Sequence, residues 1–598
     1  MTETARALAR KPEPALPEWD LEDLYSGPDA PELEADLAWA EAQSKAFAGR
    51  YRGRLADLDG AALGEAIAAY EEIAERLGKA TSYAQLVFAA NVGDPEAGRF
   101  HQTVQERATD ISTETLFFTL EINRLDDAVL AKQLESPAAG RYAPWIRDTR
   151  AFRPHQLSDE VEKILHEKSV TGRAAWVRLF EETVADLRFP VDGKALTLAD
   201  VLNGLTDHDR AVRRKSAKAL GRVLGGKLRL FSLITNMLAK DKEIEDRWRK
   251  FPFPVSERNL LNQVDDAVVE ALVASVRDAF PDLAHRYYRL KARWFGRKTL
   301  DYWDRTAPLP DDQDRPYTWD AARALVLDAY GGFAPEMADI ARRFFDHRWI
   351  DAPPRPGKDS GAFSHPTVPS AHPYILMNFH GRARDVMTLA HELGHGVHQV
   401  LSAGQGALMA DTPLTTAETA SVFGEMLTFR AMLDGETAPS RRRILLAGKV
   451  EDMLNTVVRQ IAFHEFERRV HDERRSGELS AERLGGIWLD VQRESLGPAI
   501  RLHDEYRNFW AYIPHFVHTP FYVYAYAFGD CLVNSLYDVF QKGHPGFQAK
   551  YLDMLRAGGT LRHKELLAPF GLDAGDPAFW RRGLDVVSGF IDELEAMG

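Results

Sequence analysis

The stretch Asp385-Val-Met-Thr-Leu-Ala-His391-Glu392-Leu-Gly-His395-Gly-Val-His398-Gln carries two histidines four residues apart, with a glutamate directly after the first. On a helix that spacing puts both imidazoles on one face, where they can reach a single ion. Two nitrogen ligands leave a tetrahedral zinc with room for a third ligand and a water. Glu392 lies beside the pair, so its carboxylate can take a proton from that water. The chemistry this suits is metal-assisted hydrolysis, in which a Lewis acid polarises a carbonyl and makes water nucleophilic near neutral pH. With 19 histidines in 598 residues, chance placement gives such a pattern only about 0.04 to 0.05 times per chain.

A third ligand has to come from downstream. A distal histidine preceded by a midway glycine is excluded, because His398 and Leu401 occupy those two positions. His398 shares a helical face with His391 but lies about 10 Å further along the axis, which suits a packing or supporting histidine. The run Thr416-Ala-Glu418-Thr-Ala-Ser-Val-Phe-Gly-Glu425 offers two carboxylates on one face of a following helix. Glu418, near the helix start, is the ligand candidate. Glu425 is read either as a hydrogen-bond acceptor for a ligand histidine or as an acidic residue on a solvent face.

These segments together carry a family resemblance. HELGH, preceded by DVMTLA and followed by ETASVFGE, is similar to the thimet oligopeptidase and oligoendopeptidase F family of zinc peptidases, and most to its oligoendopeptidase F branch. Trp19-Asp-Leu-Glu-Asp-Leu-Tyr25 resembles the family's opening. Asp301-Tyr-Trp-Asp-Arg305 resembles an internal signature, and Gly357-Lys-Asp-Ser-Gly-Ala-Phe363 the segment before its active-site strand. The likeness therefore covers nearly the whole chain. It implies a mainly α, two-lobed metallopeptidase with a deep central channel and a small β element at the active site. It also implies one zinc ion per chain and oligopeptides as substrates, cut at internal bonds.

In that family a histidine followed by several tyrosines lines the cleft opposite the metal. Here the matching stretch is Tyr512-Ile-Pro-His515-Phe-Val-His518-Thr-Pro-Phe-Tyr522-Val-Tyr524-Ala-Tyr526-Ala-Phe-Gly529. Tyr522 and Tyr526 would share a helical face and donate hydrogen bonds to a developing oxyanion, while Tyr524 would turn into the core. The histidine spacing departs from the thimet pattern, so the family role falls to His515 or His518, with His515 preferred and His518 assigned to substrate contact. An aromatic stripe packed in the interior is the plainer alternative. The strand-like run Tyr374 to Asn378 is expected to lie along a bound peptide, with Tyr374 touching it. The glycines of 402–407 read either as a mobile flap or as a helix end.

The elements that must position these residues are mostly helices. Apolar residues recur at three- and four-residue steps over Pro31–Tyr51, and again over 62–79, 81–92, 97–124 and 156–187. Asp192-Gly193 between short apolar runs signals a hairpin. Helices resume over 198–248 and 265–295, the latter interrupted at Pro281. Irregular zones at 301–317 and 352–378 precede a helical C-terminal part. The expected division is a loose leader over 1–18, an N-terminal helical domain over 19–195 and a catalytic domain over 196–598.

Composition narrows the class. With 75 basic and 89 acidic residues the formal charge is −14, which disfavours a nucleic-acid partner. The basic runs Arg213-Arg-Lys215 and Arg441-Arg-Arg443 are read as solvated helix faces. A single cysteine, Cys531, excludes an intrachain disulfide and a cysteine-based zinc site. No apolar run is long enough for a membrane span and no secretory signal opens the chain, so a cytoplasmic protein is expected, in an oligomeric state left open, with a monomer allowed. Two rival readings stand beside the endopeptidase: another HExxH enzyme acting on chain ends, and a noncatalytic helical peptide-binding protein.

Overall fold

Helices begin where the sequence supplies caps. In the computed structural model, which describes residues 16–169, 171–310 and 316–597, α1 spans Pro31–Tyr51 and starts on its proline. Asp59 accepts the Ala62 N–H at 2.8 Å and opens α2, Gly60–Ala90, while Asp94 does the same for Glu96 at 2.9 Å and opens α3, Pro95–Arg124. The segments expected at 62–79 and 81–92 are thus one helix. These three helices pack on one another around Phe47 and Phe118, whose rings meet edge-on at 5.0 Å. The helix expected over 156–187 is two, Asp159–Ser169 and Arg173–Asp186. The leader expected over 1–18 lies, up to residue 15, outside the described residues.

The Asp192-Gly193 hairpin forms as expected. Strands β1, Phe189–Val191, and β2, Lys194–Leu196, pair antiparallel with Phe189 opposite Leu196. Asp192 and Gly193 both take positive φ, 49° and 80°, as the tight turn between twisted strands requires. Beyond it, α4, Arg210–Gly225, departs from the expectation of a solvated basic face. Arg213 is buried and donates to Asp304 at 3.0 Å and to the Asp207 carbonyl at 2.6 Å. Its two neighbours do face solvent, and Lys215 reaches Asp192 at 2.8 Å. The Asp-Tyr-Trp-Asp-Arg signature therefore serves the packing, because β3, Leu300–Asp301, leads into Asp304, the counter-charge for Arg213.

The irregular zone around residue 360 folds into a small sheet. Strand β4, Ile350–Asp351, runs parallel to β6, Tyr374–Leu376, and β5, Phe363–His365, runs antiparallel to β6 on its other side. The motif helix α5, Ala383–Ser402, follows, opened by Asp385, whose carboxylate accepts the N–H groups of Arg382 and His380 at 2.9 and 2.8 Å. Helices α6, Thr419–Gly435, α7, Pro439–Met453, and α8, Arg459–Arg474, come next. After β7, Ile500–Arg501, which pairs parallel with β3, the chain ends on α9, Tyr524–Gln541, and α10, Pro577–Ala596. The protein is mainly α. Helix α6 packs against both α5 and α9, and α9 against α10. Among the described residues no helix is long and apolar enough to cross a membrane.

Removing Asp304 would leave Arg213 charged and buried without its partner, a change that costs about 3–5 kcal/mol. Asp304→Ala is expected to lower the thermal unfolding midpoint clearly. Arg214→Ala, one residue along on the exposed side, should stay within about 0.5 kcal/mol of the parent chain. Differential scanning calorimetry of both variants checks the contrast.

Candidate metal centre

Helix α5 presents His391 and His395 on one face with their rings 4.9 Å apart. Glu418 stands immediately ahead of α6 and brings one carboxylate oxygen to 3.4 Å from the Nε2 of each histidine. A tetrahedral ion bound at about 2.0–2.1 Å needs its ligand atoms about 3.3–3.4 Å apart. The two His–Glu distances match that edge, and among the described residues these three are the one group of His, Cys, Asp and Glu side chains close enough to hold a metal. The donor set therefore fits a divalent ion such as zinc.

The triangle closes because glycine lets the helices meet. A Cβ on Gly394 would lie 2.5 Å from the Ala420 carbonyl oxygen and 2.6 Å from the Ser421 Cα. On the far side, a Cβ on Gly529 of α9 would lie 2.9 Å from the Cβ of Glu418. Ser421 donates to Glu418 at 2.6 Å, fixing the carboxylate. The hydroxyl of buried Tyr330 donates to the Ala390 carbonyl, one residue before His391.

Charge at the site favours a cation. Burial alone would lower the His391 imidazole, but Glu425, Glu418 and Glu392 outweigh it and hold it up at about 9. Burial would raise Glu418, yet hydrogen bonding and charge from His395, with His391 behind, bring it down to about 2. Glu392 is buried, which raises its carboxyl above the usual range against the pull of both histidines and of the Ser364 N–H. Glu425 is no solvent-face residue: it sits 3.7 Å from the Nδ1 of His391, and Lys449 of α7 lies 3.6 Å behind it. His398 is buried and lowered to about 4 by that burial, as expected of a packing histidine.

The aromatic segment divides. His515, Tyr522 and Tyr526 gather, with the Tyr526 hydroxyl 3.5 Å from the Nε2 of His515 and the two tyrosine rings 5.3 Å apart. Burial, Tyr522 and the charge of Glu418 raise Tyr526 to about 12, so this phenol faces the ligand carboxylate and stays protonated. Tyr524 points into the core, where Asn262 donates to it at 2.9 Å. His518 turns away from this group: it lies 3.3 Å from Glu181 and edge-on to Phe180.

Tyr374 does not line the cleft. It is fully buried, its hydroxyl donates to the Asp20 carbonyl at 2.9 Å, and both edges of β6 are taken by β4 and β5. The strand that lines the cleft is β5. Ser364 on it directs its N–H at Glu392 and exchanges hydrogen bonds with Gln399. Nothing in the sequence signalled Ser364 or Lys449, whereas the glycine inside HELGH was a visible cue to close packing. In the 402–407 segment α5 runs on into a short 3-10 turn over Ala403–Gln405, with the Gln405 side chain donating to the Arg556 carbonyl and, just beyond, Glu71 accepting from the Leu408 N–H.

The ligand triangle opens into a cleft of about 820 Å³. One wall comes from α2 through Ala74, Glu75 and Gly78, the other from β5 and α5. Comparison with known proteins agrees with this geometry. A model of Peptidase family M3 matches residues 205–586, and one of Oligopeptidase F matches residues 121–189. The chain belongs to peptidase family M3. It is a metalloendopeptidase of that family. Oligopeptidase PepF of Bacillus subtilis is 27% identical over 595 residues, covering 97% of this chain and 87% of its own. Group B oligopeptidase PepB of Streptococcus agalactiae is 26% identical over 592 residues, covering 97% and 96%. The fold is shared with oligoendopeptidase-F from Enterococcus faecium, at a TM-score of 0.70, 22% identity and coverage of 95% and 97%. A solved chain from Chlamydophila abortus superposes at 0.85 with 23% identity, over 97% of this chain and 98% of its own.

Gly394→Ala is expected to push α6 from α5 and move Glu418 off the histidines. Zinc affinity, read by competition with a chromogenic chelator, should fall by about 10–100-fold or more, the range typical of losing a supporting group. Unchanged affinity would mean that the helix approach does not set the ligand geometry.

Proposed function

We propose that this peptidase is a zinc-dependent enzyme that cuts internal bonds of short oligopeptides, with His391, His395 and Glu418 holding one zinc ion per chain. The observation that carries the reading is the pair of 3.4 Å contacts from one Glu418 oxygen to the two imidazoles, with Glu392 beside them. Relatives named as oligopeptidases support the substrate class. Bound there, the ion would supply Lewis-acid polarisation and make water nucleophilic near neutral pH.

The chain's own residues do the remaining work. Glu392 takes the proton as water attacks the scissile carbonyl and hands it to the departing amine. Its burial suits a proton shuttle, because a raised carboxyl accepts a proton more readily than an exposed one. Tyr526, kept protonated, and His515 beside it donate to the oxygen on which charge develops. A cleft walled by α2 admits an extended segment and excludes a folded domain.

An internally quenched peptide of about ten residues, blocked at both ends, spans at most about 36 Å and tests the reading directly. Cleavage at an internal bond should disappear on chelation and return with zinc. Glu392→Gln should retain zinc yet lose about 10²–10⁴-fold in kcat. Hydrolysis confined to free-ended peptides would point to an exopeptidase, and full activity in Glu392→Gln would sink the mechanism.

A further inference from the structure

Beyond His515 lies a second, smaller cavity whose lining is unusual in its charge. It measures about 40 Å³ and is bounded by Arg305, Arg459, Trp303, Trp488 and Tyr512 among others. By this measure a single water needs about 10–15 Å³, so the space seats a carboxylate group but no ring. Arg305 and Arg459 are half-buried and, among the described residues, neither makes an ion pair with a carboxylate. Arg305 donates to the Asn455 side chain at 3.0 Å, and Arg459 lies over the Phe463 ring at 5.0 Å. Glu451 is already engaged by Lys291 and Tyr287, at 2.5 and 2.6 Å. Burial and the like charge of Arg305 both push the Arg459 guanidinium below its usual range, whereas Arg305, against its own burial, is held above it by the phenols of Tyr288, Tyr506 and Tyr512, with no carboxylate beside either.

A second, independent observation concerns the indoles. Trp303 and Trp488 are 4% and 2% exposed, and the Nε1–H of each has no acceptor among the described residues. Buried donors normally find partners; the rings of both indoles help to line the cavity, while their nitrogens are closed off from it, so the two guanidiniums are its charged donors. The charge of Arg459 is also felt at the site described above. Glu418 acts on Tyr526, Tyr526 reaches His515, and His515 is lowered by burial and then by the charge of Arg459.

We propose that this pocket is an anion subsite that takes a carboxylate of the peptide substrate, either its C-terminal group or an acidic side chain. A planar guanidinium matches a carboxylate with two parallel hydrogen bonds, which gives direction as well as strength. The proposal rests on the endopeptidase reading, and its test separates the two.

Zinc-loaded full-length enzyme would be given quenched peptides of one sequence in three forms: a free C-terminal carboxylate, an amide, and an amidated series with one glutamate moved through each position. A carboxylate-bearing form should exceed the plain amide by about tenfold or more in kcat/KM, mostly through KM. Advantage for the free acid identifies the terminal group, and advantage at one glutamate position identifies a side chain. Arg459→Gln should bring the ratio close to one, and Arg459→Lys should keep part of it. Equal rates for all forms, an equal loss across all forms in Arg459→Gln, or activation of every form alike by sodium acetate or chloride would overturn the subsite. Calorimetric binding of the same peptides to Glu392→Gln reads the pocket without turnover. Absence of hydrolysis therefore counts against the endopeptidase reading alone, whereas equal binding of acid and amide counts against the pocket.

Discussion

The metal centre depends on how closely the backbones of α5 and α6 approach. One Glu418 oxygen must meet two imidazoles at 3.4 Å, so the spacing of these two helices has to be fixed closely rather than left to the usual distance of about 8–10 Å between helix axes. At Gly394 the Ala420 carbonyl and the Ser421 Cα occupy the space any larger residue would claim. Tyr330 then holds the pair together, donating to the Ala390 carbonyl of α5 while its hydroxyl fills the space above Gly424 of α6. Glu418 is set from behind by Gly529 of α9. The ligand set is thus a product of three packed helices rather than of the HExxH helix alone.

The same packing decides which strand can meet a substrate. With β6 held between β4 and β5, β5 is the strand that lines the cleft, and its outward main-chain groups are already used: Ser364 directs its N–H at Glu392 and its carbonyl accepts from Gln399. Opposite stands α2, part of the N-terminal helical layer, so the cleft exists only because both halves of the chain contribute a wall. Glu71 of α2, accepting from Leu408 just past the motif helix, ties those halves together at the cleft.

Local signals made much of this legible. Spacing placed His391 and His395 on one helical face with Glu392 beside them, and Asp192-Gly193 announced its hairpin. Apolar periodicity set the starts of the second and third helices to within about two residues of Gly60 and Pro95. What local signals could not reveal was partnership across the chain. The basic run at Arg213 looked solvated because its counter-charge, Asp304, is far away in sequence. Tyr374 looked available because a strand's edges are defined by its neighbours, not by its own residues. His515 and His518 are equivalent by type, and only the fold turns one toward Tyr526 and the other toward Glu181. Lys449 carries no motif at all.

That lysine shows how the centre is coupled to the body of the protein. Burial works against its charge, but Glu425, Asp530 and Asp452 outweigh that and keep the ammonium above its usual range. Asp530, fully enclosed, is pushed up to about 7 against the pull of Lys449. His391, Glu425, Lys449 and Asp530 belong to α5, α6, α7 and α9, so one buried charge cluster draws on four helices. Buried ion pairs contribute little net stability, since desolvation consumes most of the Coulombic gain. Their consequence here is orientation: Glu425 can face the Nδ1 of His391 only while Lys449 balances it from behind. A cation bound at Nε2 would strengthen that alignment by acidifying the ring's opposite N–H. Metal binding and the packing of four helices are in this way parts of one equilibrium.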